Sequence, residues 1–332
     1  MNEIAEKIQK ESDKDFGKGI MTDATHLLEQ KLAVVSVSPA LDIGLGGGIP
    51  EGSWVTISGN DKVGKSSLAL QIAANAQSIG KFVYFYAPEG RIKKRDLEGI
   101  HNLDTSKNFK LIQSIEGHIL SAEEYLTHII RVIKSHPKCV VIIDSLSSIC
   151  SAQELTTEIS SQTRLPTPKL LASFCRQLGG IVPVQNTILI AIQQLMANTS
   201  GYGSPYIEGD GRKIKYQVDV RLRCKSHQGW TNKDGVQIGQ LVNWEIKATP
   251  LGPPNVKVKS YLRYGYGLDS EKEIFNLGVD FGLINKSGAW YTFDCIEEPA
   301  SMKYQGEEKC VQFLRDNPEH TKTIYDMIKG MT

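Results

Sequence analysis

The 332-residue sequence contains no apolar run approaching the roughly 20 residues that a membrane-spanning helix needs. Its first stretch, MNEIAEKIQKESDKDFGKG, is charged from the third residue and does not read as a secretory signal. The six cysteines (Cys139, Cys150, Cys175, Cys224, Cys295 and Cys310) form no CxxC pair, and several lie in apolar segments. The expectation is buried, reduced thiols in a cytosolic protein. Net charge is only +1, so the global basic excess common among polyanion binders is missing. Any nucleic-acid contact must then be local, or summed over many subunits. There is no internal repeat and no low-complexity segment. What is present is an ordinary globular composition, 40% hydrophobic and 23% charged, long enough for one large domain and a smaller one.

Residues 1–30 alternate charged and apolar positions and predict one short helix with a connection. A lone helix cannot bury its own apolar stripe, so this one must dock on its own core or on a neighbouring subunit. From 32 to 265, near-continuous β-branched runs at 54–57, 82–85, 139–143 and 187–192 alternate with helical patterns at 65–79, 121–135 and 168–180. Runs apolar on both faces belong to strands covered on both sides, and this rhythm predicts an α/β fold with a mostly parallel central sheet. The runs 218–224, 241–247 and 257–262 have short connections and should extend the sheet with antiparallel strands. Beyond Gly267 the sequence predicts a helix, short strands around 290–293, and helices at 306–315 and 319–329, a small α+β domain. The expected division is 1–30, 31–267 and 268–332.

Gly59-Asn60-Asp61-Lys62-Val63-Gly64-Lys65-Ser66 fits GxxxxGK[ST] between a predicted strand and a predicted helix. Glycines let the backbone curl so that its N–H groups converge on phosphate oxygens, and the helix N-terminus adds positive potential. Ser67 continues that helix start. Lys65 would reach the β- and γ-phosphates of a nucleoside triphosphate, and Ser66 would ligate Mg²⁺. A chance match arises in about one chain in a hundred of this length, and the correct flanks lower that further. At 140–145 an apolar strand delivers Asp144 to the carboxyl edge of the sheet, where it would support the metal. Glu89, just past the strand at 82–86, is the candidate that activates water; a solvated loop carboxylate is the bland alternative. Gln193 and Gln194 follow the strand at 187–192, where a glutamine could touch the γ-phosphate; a polar pair in a turn is the alternative.

Two stretches break the rhythm, at 154–167 (polar, Ser/Thr-rich) and at 195–213 (Gly-rich). Loops this long are usually functional or disordered. The second carries Tyr202, Tyr206, Gly211, Arg212 and Lys213, with aromatic faces that can stack on bases and cations that can meet phosphates. Arg164 and Lys169 in and after the first are weaker candidates, because isolated surface cations are common.

These pieces, in this order, resemble the RecA family of recombinases over nearly the whole chain. The resemblance runs from Phe16-Gly17-Lys18-Gly19 through the stretch 38–50, past Gln194, to Tyr264-Gly265-Tyr266-Gly267, Gly288-Ala289-Trp290-Tyr291 and Asp316-Asn317-Pro318. The last two are the most specific, since other P-loop ATPases lack that tail. The resemblance implies a RecA-like ATPase core in which Lys65, Ser66 and Asp144 bind nucleotide and Mg²⁺, Glu89 activates water and Gln194 senses the γ-phosphate. It makes 154–167 and 195–213 DNA-binding loops, places Arg176 at a DNA contact, and has Lys247 reach the ATP site of the adjacent subunit. It implies a helical filament on single-stranded DNA that pairs with homologous duplex, in the cytoplasm of a bacterium or of a phage-infected host. The sequence departs from the family pattern at Thr249, where a second lysine is expected, at Ala87 in place of an acidic residue, and at Asp96, near where an aromatic residue should stack on adenine. The competing readings are a ring helicase or clock-type motor built on the same core, and a mediator that binds ATP and a recombinase without exchanging strands.

Overall fold

The computed structural model describes the chain except for residues 1–2, 30–32, 158–165, 199–205, 209–216 and 297–302, with backbone alone at 26–27, 196–197 and 206–208. The chain separates into two compact units, Met1–Ala33 and Val34–Thr332. The first holds helices α1 (Glu3–Phe16) and α2 (Thr25–Glu29). Glu3 and Glu6 in the first turn of α1 and Lys14 in its last complement the helix dipole. None of its residues is buried, and Ile4 and Ile8, one turn apart, are 66% and 51% exposed.

The second unit runs β1 (Val34–Val35), α3 (Pro39–Leu45), β2 (Ile49–Pro50), β3 (Trp54–Gly59), α4 (Lys65–Ser78), β4 (Val83–Tyr86), α5 (Lys94–Glu98), β5 (Phe109–Ile112), α6 (Ala122–Ser135) and β6 (Val140–Ile143). It continues through α7 (Ala152–Thr156), α8 (Thr167–Val184), β7 (Ile188–Ala197), β8 (Tyr206–Glu208), β9 (Val220–Thr231), β10 (Gln237–Ala248), β11 (Val256–Arg263) and β12 (Gly267–Leu268). The tail is α9 (Ser270–Asp280), β13 (Asn285–Ser287), β14 (Trp290–Thr292), β15 (Lys303–Gln305), α10 (Glu307–Asp316) and α11 (Pro318–Gly330).

The main sheet has the order β12-β11-β10-β9-β3-β7-β6-β4-β5, with β8 paired to β7. In that order β5, β4, β6, β7, β3 and β9 are parallel, and β10, β11 and β12 are added antiparallel; the runs 241–247 and 257–262 thus pair as expected, whereas the run 218–224 forms β9, which joins β3 in parallel and is antiparallel only to β10. Two apolar layers sandwich it. On one face α4 packs Leu68, Ile72 and Ala76 against Val55, Ile57 and Phe85. On the other, Ile129 and Ile133 of α6 and Phe174 and Leu178 of α8 cover Trp54, Val141 and Leu189. The tail encloses its own cluster around Phe275, Tyr291, Leu314 and Ile324.

Helix α3 fastens the tail to the sheet. Ser38 caps it by accepting from the Leu41 N–H at 3.4 Å, and Gly44 lies so close to β10 and β11 that a Cβ there would meet Ile246 Cδ1 and Val258 Cγ2, each at 2.7 Å. At its start the Ala40 N–H donates to Glu273 of α9 (3.0 Å), and Tyr325 of α11 donates to Asp42 (3.0 Å).

Several boundaries differ from the sequence expectations. Helix α8 continues past Gly179-Gly180 to Val184, because Leu171, Phe174, Cys175, Leu178 and Val182 keep a helical spacing into the core. Residues 154–156, expected in a polar loop, close helix α7, which Ser151 and Glu154 cap reciprocally. Strand β7 extends beyond 192 to Ala197, since β8 supplies it with an antiparallel partner (Leu195↔Glu208, Ala197↔Tyr206). Strands β9 and β10 outrun their apolar cores into a polar hairpin. The thiols also split: Cys139, Cys175, Cys224 and Cys310 are buried, Cys295 is half-buried, and Cys150 is exposed, so the buried expectation fails for Cys150.

Candidate nucleotide site at the carboxyl edge of the sheet

Parallel strands deliver their carboxyl ends to one edge, and that edge collects the predicted residues. Strand β3 ends at Gly59, whose register partner on β7 is Gln194. Strand β6 sits beside β4 (Tyr86↔Ile143), so Asp144 and the segment carrying Glu89 leave the sheet together.

Between β3 and α4 the chain takes positive φ at Lys62 (59°) and Gly64 (89°), and no side chain caps the N-terminus of α4. Its first N–H groups are left for a ligand. A Cβ on Gly64 would approach Leu262 Cδ2 to 2.7 Å, so glycine serves both conformation and closeness there. Lys65 is 8% exposed, and its Nζ donates to the carbonyls of Gly59 (3.0 Å) and Asn60 (2.6 Å). Burial pushes its ammonium pKa down, while Asp61, Asp144 and Glu89 work against that shift. A buried cation whose hydrogen bonds run to carbonyls suits a polyanion.

Asp144 is raised by burial, opposed by a hydrogen bond from Ser66. That hydroxyl and carboxylate are the donor set a Mg²⁺ ion would share with phosphate oxygens. Among the described residues no group of three or more His, Cys, Asp or Glu could cage a metal by itself. Glu89 Oε1 accepts from Ser145 Oγ at 2.9 Å, and its other oxygen lies 3.6 Å from Arg91 Nε. Gln193 is buried and Gln194 exposed, both within β7 and not in a turn.

A cavity of about 640 Å³ opens from Lys62, Gly64, Lys65, Ser66 and Ser67 toward Arg95, Asp96, Gln240 and Tyr264. Asp96, near the expected aromatic position, is a helix cap: it accepts from the Lys93 N–H at 2.8 Å. The aromatic surface in this cavity belongs to Tyr264, 51% exposed, whose Oη accepts from Gln237 (2.8 Å) and Gln240 (3.2 Å). Sequence reading did not place Tyr264 beside the P-loop, because nothing local ties position 264 to residues 59–66.

A family model of the RecA N-terminal domain matches residues 3–269, and one of the RecA C-terminal domain matches residues 272–331. The chain belongs to the RecA family. It is 29% identical to Protein RecA of Thermotoga neapolitana over 98% of this chain and 92% of that protein. It is 30% identical to Protein RecA of Streptomyces venezuelae over 96% of this chain and 81% of that one, and 30% identical to that of Frankia casuarinae over 96% and 89%. As a member of the RecA family it is an ATP- and Mg²⁺-using, DNA-dependent ATPase that forms helical filaments on single-stranded DNA and pairs them with homologous duplex.

The remaining predicted residues of this RecA-family chain distribute as follows. Lys169 and Arg176 lie exposed on α8, two helical turns apart. Tyr206 begins β8. Arg164, Tyr202, Gly211, Arg212 and Lys213 fall outside the described residues. Lys247, partly exposed, pairs with Glu245 at 2.9 Å. Thr249, just past β10, donates its hydroxyl to the Leu45 carbonyl at 2.9 Å, so the side chain at this departure is tied to the end of α3. No helix among the described residues is long and apolar enough to cross a membrane.

Proposed function

We propose that Lys65 and Ser66, with the backbone from Gly59 to Ser67, hold the triphosphate, and that Asp144 and Ser66 hold Mg²⁺, which when bound neutralises phosphate charge. Glu89 orients and deprotonates the attacking water, and Lys65 meets charge developing on the transferred group. Gln194 reads the γ-phosphate and passes its presence along β7 into the β7–β8 arm and the segment 195–213. Tyr264 offers the base a stacking face. Lys247 reaches the phosphates bound by the adjacent subunit.

One observation carries this reading: the register of β3, β4, β6 and β7 brings the P-loop, Glu89, Asp144 and Gln194 to a single edge. DNA is met by the segments 154–167 and 195–213, with Arg164, Lys169, Arg176, Tyr202, Tyr206, Gly211, Arg212 and Lys213 as contacts. The chain divides functionally into 1–30, which docks on a neighbouring copy, a core at 31–267 and a tail at 268–332. Its place is the bacterial cytoplasm or that of a phage-infected host.

The test is ATP hydrolysis with and without single-stranded DNA at one stated salt concentration, because phosphate contacts are salt-sensitive. Marked stimulation supports coupling between the loops and the P-loop. Hydrolysis indifferent to DNA would remove that coupling and favour a mediator or another motor built on this fold.

A further inference from the structure

Glu245 stands out among the carboxylates of the sheet. It lies mid-strand on β10, 7% exposed, between Trp244 and Ile246 of the core layer. Its Oε1 pairs with Lys247 Nζ at 2.9 Å, and its Oε2 lies 3.2 Å from Lys225 Nζ. Lys225 is no ordinary strand residue. Cys224 faces Trp244 and Ser226 faces Asn243, so Lys225 is the extra residue of a β-bulge. Bulges re-aim side chains and are over-represented beside active sites. This one lets Lys225 reach Glu245 while Cys224 stays in the core against Gly59, whose added Cβ would sit 2.9 Å from Cys224 Cβ.

The cluster carries one negative and two positive charges. Burial pushes the Glu245 carboxyl up, but the two lysines outweigh burial and hold it below the usual range. The carboxylate screens the two ammonium groups from each other and anchors both, leaving one net positive charge. The cluster is open to solvent on the lysine side, with side chains 48% exposed at Lys225 and 27% at Lys247. Preorganised cations of this kind stabilise anions at little reorganisation cost. Position 249, two residues beyond Lys247, supplies no charge, and its hydroxyl is committed to Leu45.

We propose that Lys225 is a second catalytic cation for ATP hydrolysis, held with Lys247 by the positioning residue Glu245 and acting with it on the phosphates bound by the adjacent subunit. This rests on the reading of Lys247 given above. A stacked, head-to-tail assembly makes every such site a joint product of two copies. A group that acts across the interface can therefore be supplied by a different copy from the one that supplies Glu89.

The experiment measures DNA-stimulated ATP turnover of full-length Lys225→Ala, Lys247→Ala and Glu89→Gln, alone and as equimolar mixtures. Lys225→Ala alone should lose about ten-fold in kcat, and Lys225→Arg should keep most of it. Mixed with Glu89→Gln, Lys225→Ala should regain activity at about a quarter of interfaces, where an intact Glu89 faces an intact Lys225. Glu245→Gln should lower kcat with little change in KM, and should behave like Lys225→Ala on mixing. Such recovery cannot come from a variant that is merely misfolded. If Lys247→Ala recovers on mixing but Lys225→Ala does not, or if Lys225→Ala turns over at the parent rate, the assignment of Lys225 is overturned and that of Lys247 stands. If Lys247→Ala is itself unimpaired, the underlying reading of the interface fails.

Discussion

Ser145 Oγ donates to Glu89 Oε1 at 2.9 Å, and Ser148 Oγ donates to the Ser145 carbonyl at 2.7 Å. Ser145 is 2% exposed, so this contact is sheltered from solvent. Glu89 stands on a loop three residues past β4, where its carboxylate would otherwise sample several rotamers. The serine, attached to the end of β6, gives it one orientation beside Asp144. Removing the hydroxyl should cost orientation and not nucleotide binding. We expect Ser145→Ala to lower kcat about ten-fold with KM for ATP unchanged, and Ser145→Thr to retain activity. Steady-state kinetics with single-stranded DNA present decide it; a rise in KM with unaltered kcat would refute the positioning role.

Glu89→Gln keeps the shape of the side chain and its acceptor for Ser145 but removes the base. The expected loss in kcat is about 100-fold or more, as for other general bases. Because the nucleotide site is otherwise intact, ATP-bound filaments should accumulate and persist. Electron microscopy after a timed ATP chase would reveal them, and near-normal hydrolysis would transfer the role of base to another group.

Asp42 accepts from Ser36, the Val37 N–H and Tyr325, yet burial still pushes its carboxyl up from 3.8 to about 6. Glu273, on the other side of α3, is raised by burial from 4.5 to about 7. Between the unfolded and folded values the native chain binds more protons than the unfolded chain. Stability must therefore fall as pH rises through that window. Asp42→Asn removes one of the two groups. Relative to the parent protein it should gain stability between about pH 4 and 6, on the order of 2–3 kcal/mol across the window. Thermal unfolding midpoints of both proteins at several pH values provide the check; parallel curves would mean that Asp42 does not titrate there.

Helix α1 exposes Ile4 and Ile8, and the connection after it exposes Ile20 (63%). Exposed apolar side chains on an otherwise charged segment suit a docking face. Deleting residues 1–30 should abolish filaments and leave a folded monomer that binds ATP. Sedimentation with and without nucleotide distinguishes the outcomes, and filaments that survive the deletion would rule the helix out as the joint.

Local chemistry was enough to read much of this protein. The P-loop is legible because a phosphate cradle must be built from consecutive backbone N–H groups, so Gly59, Gly64, Lys65 and Ser66 lie within eight residues. The parallel sheet is legible because strands covered on both faces need unbroken apolar runs. The tail helices are legible from the spacing of their apolar residues. Other features depend on residues distant in sequence. Tyr264 shares a cavity with the P-loop only because β11 folds back across the antiparallel end of the sheet. Lys225 and Lys247 meet on Glu245 only because a bulge shifts the register of β9 against β10. Strand β7 runs on to Ala197 because β8 returns to pair with it, and α8 crosses two glycines because its apolar face is already buried. A sequence determines by itself whatever short-range geometry and side-chain periodicity specify. Register, bulges and contacts across a sheet are decided by tertiary packing, since each depends on which strand lies alongside.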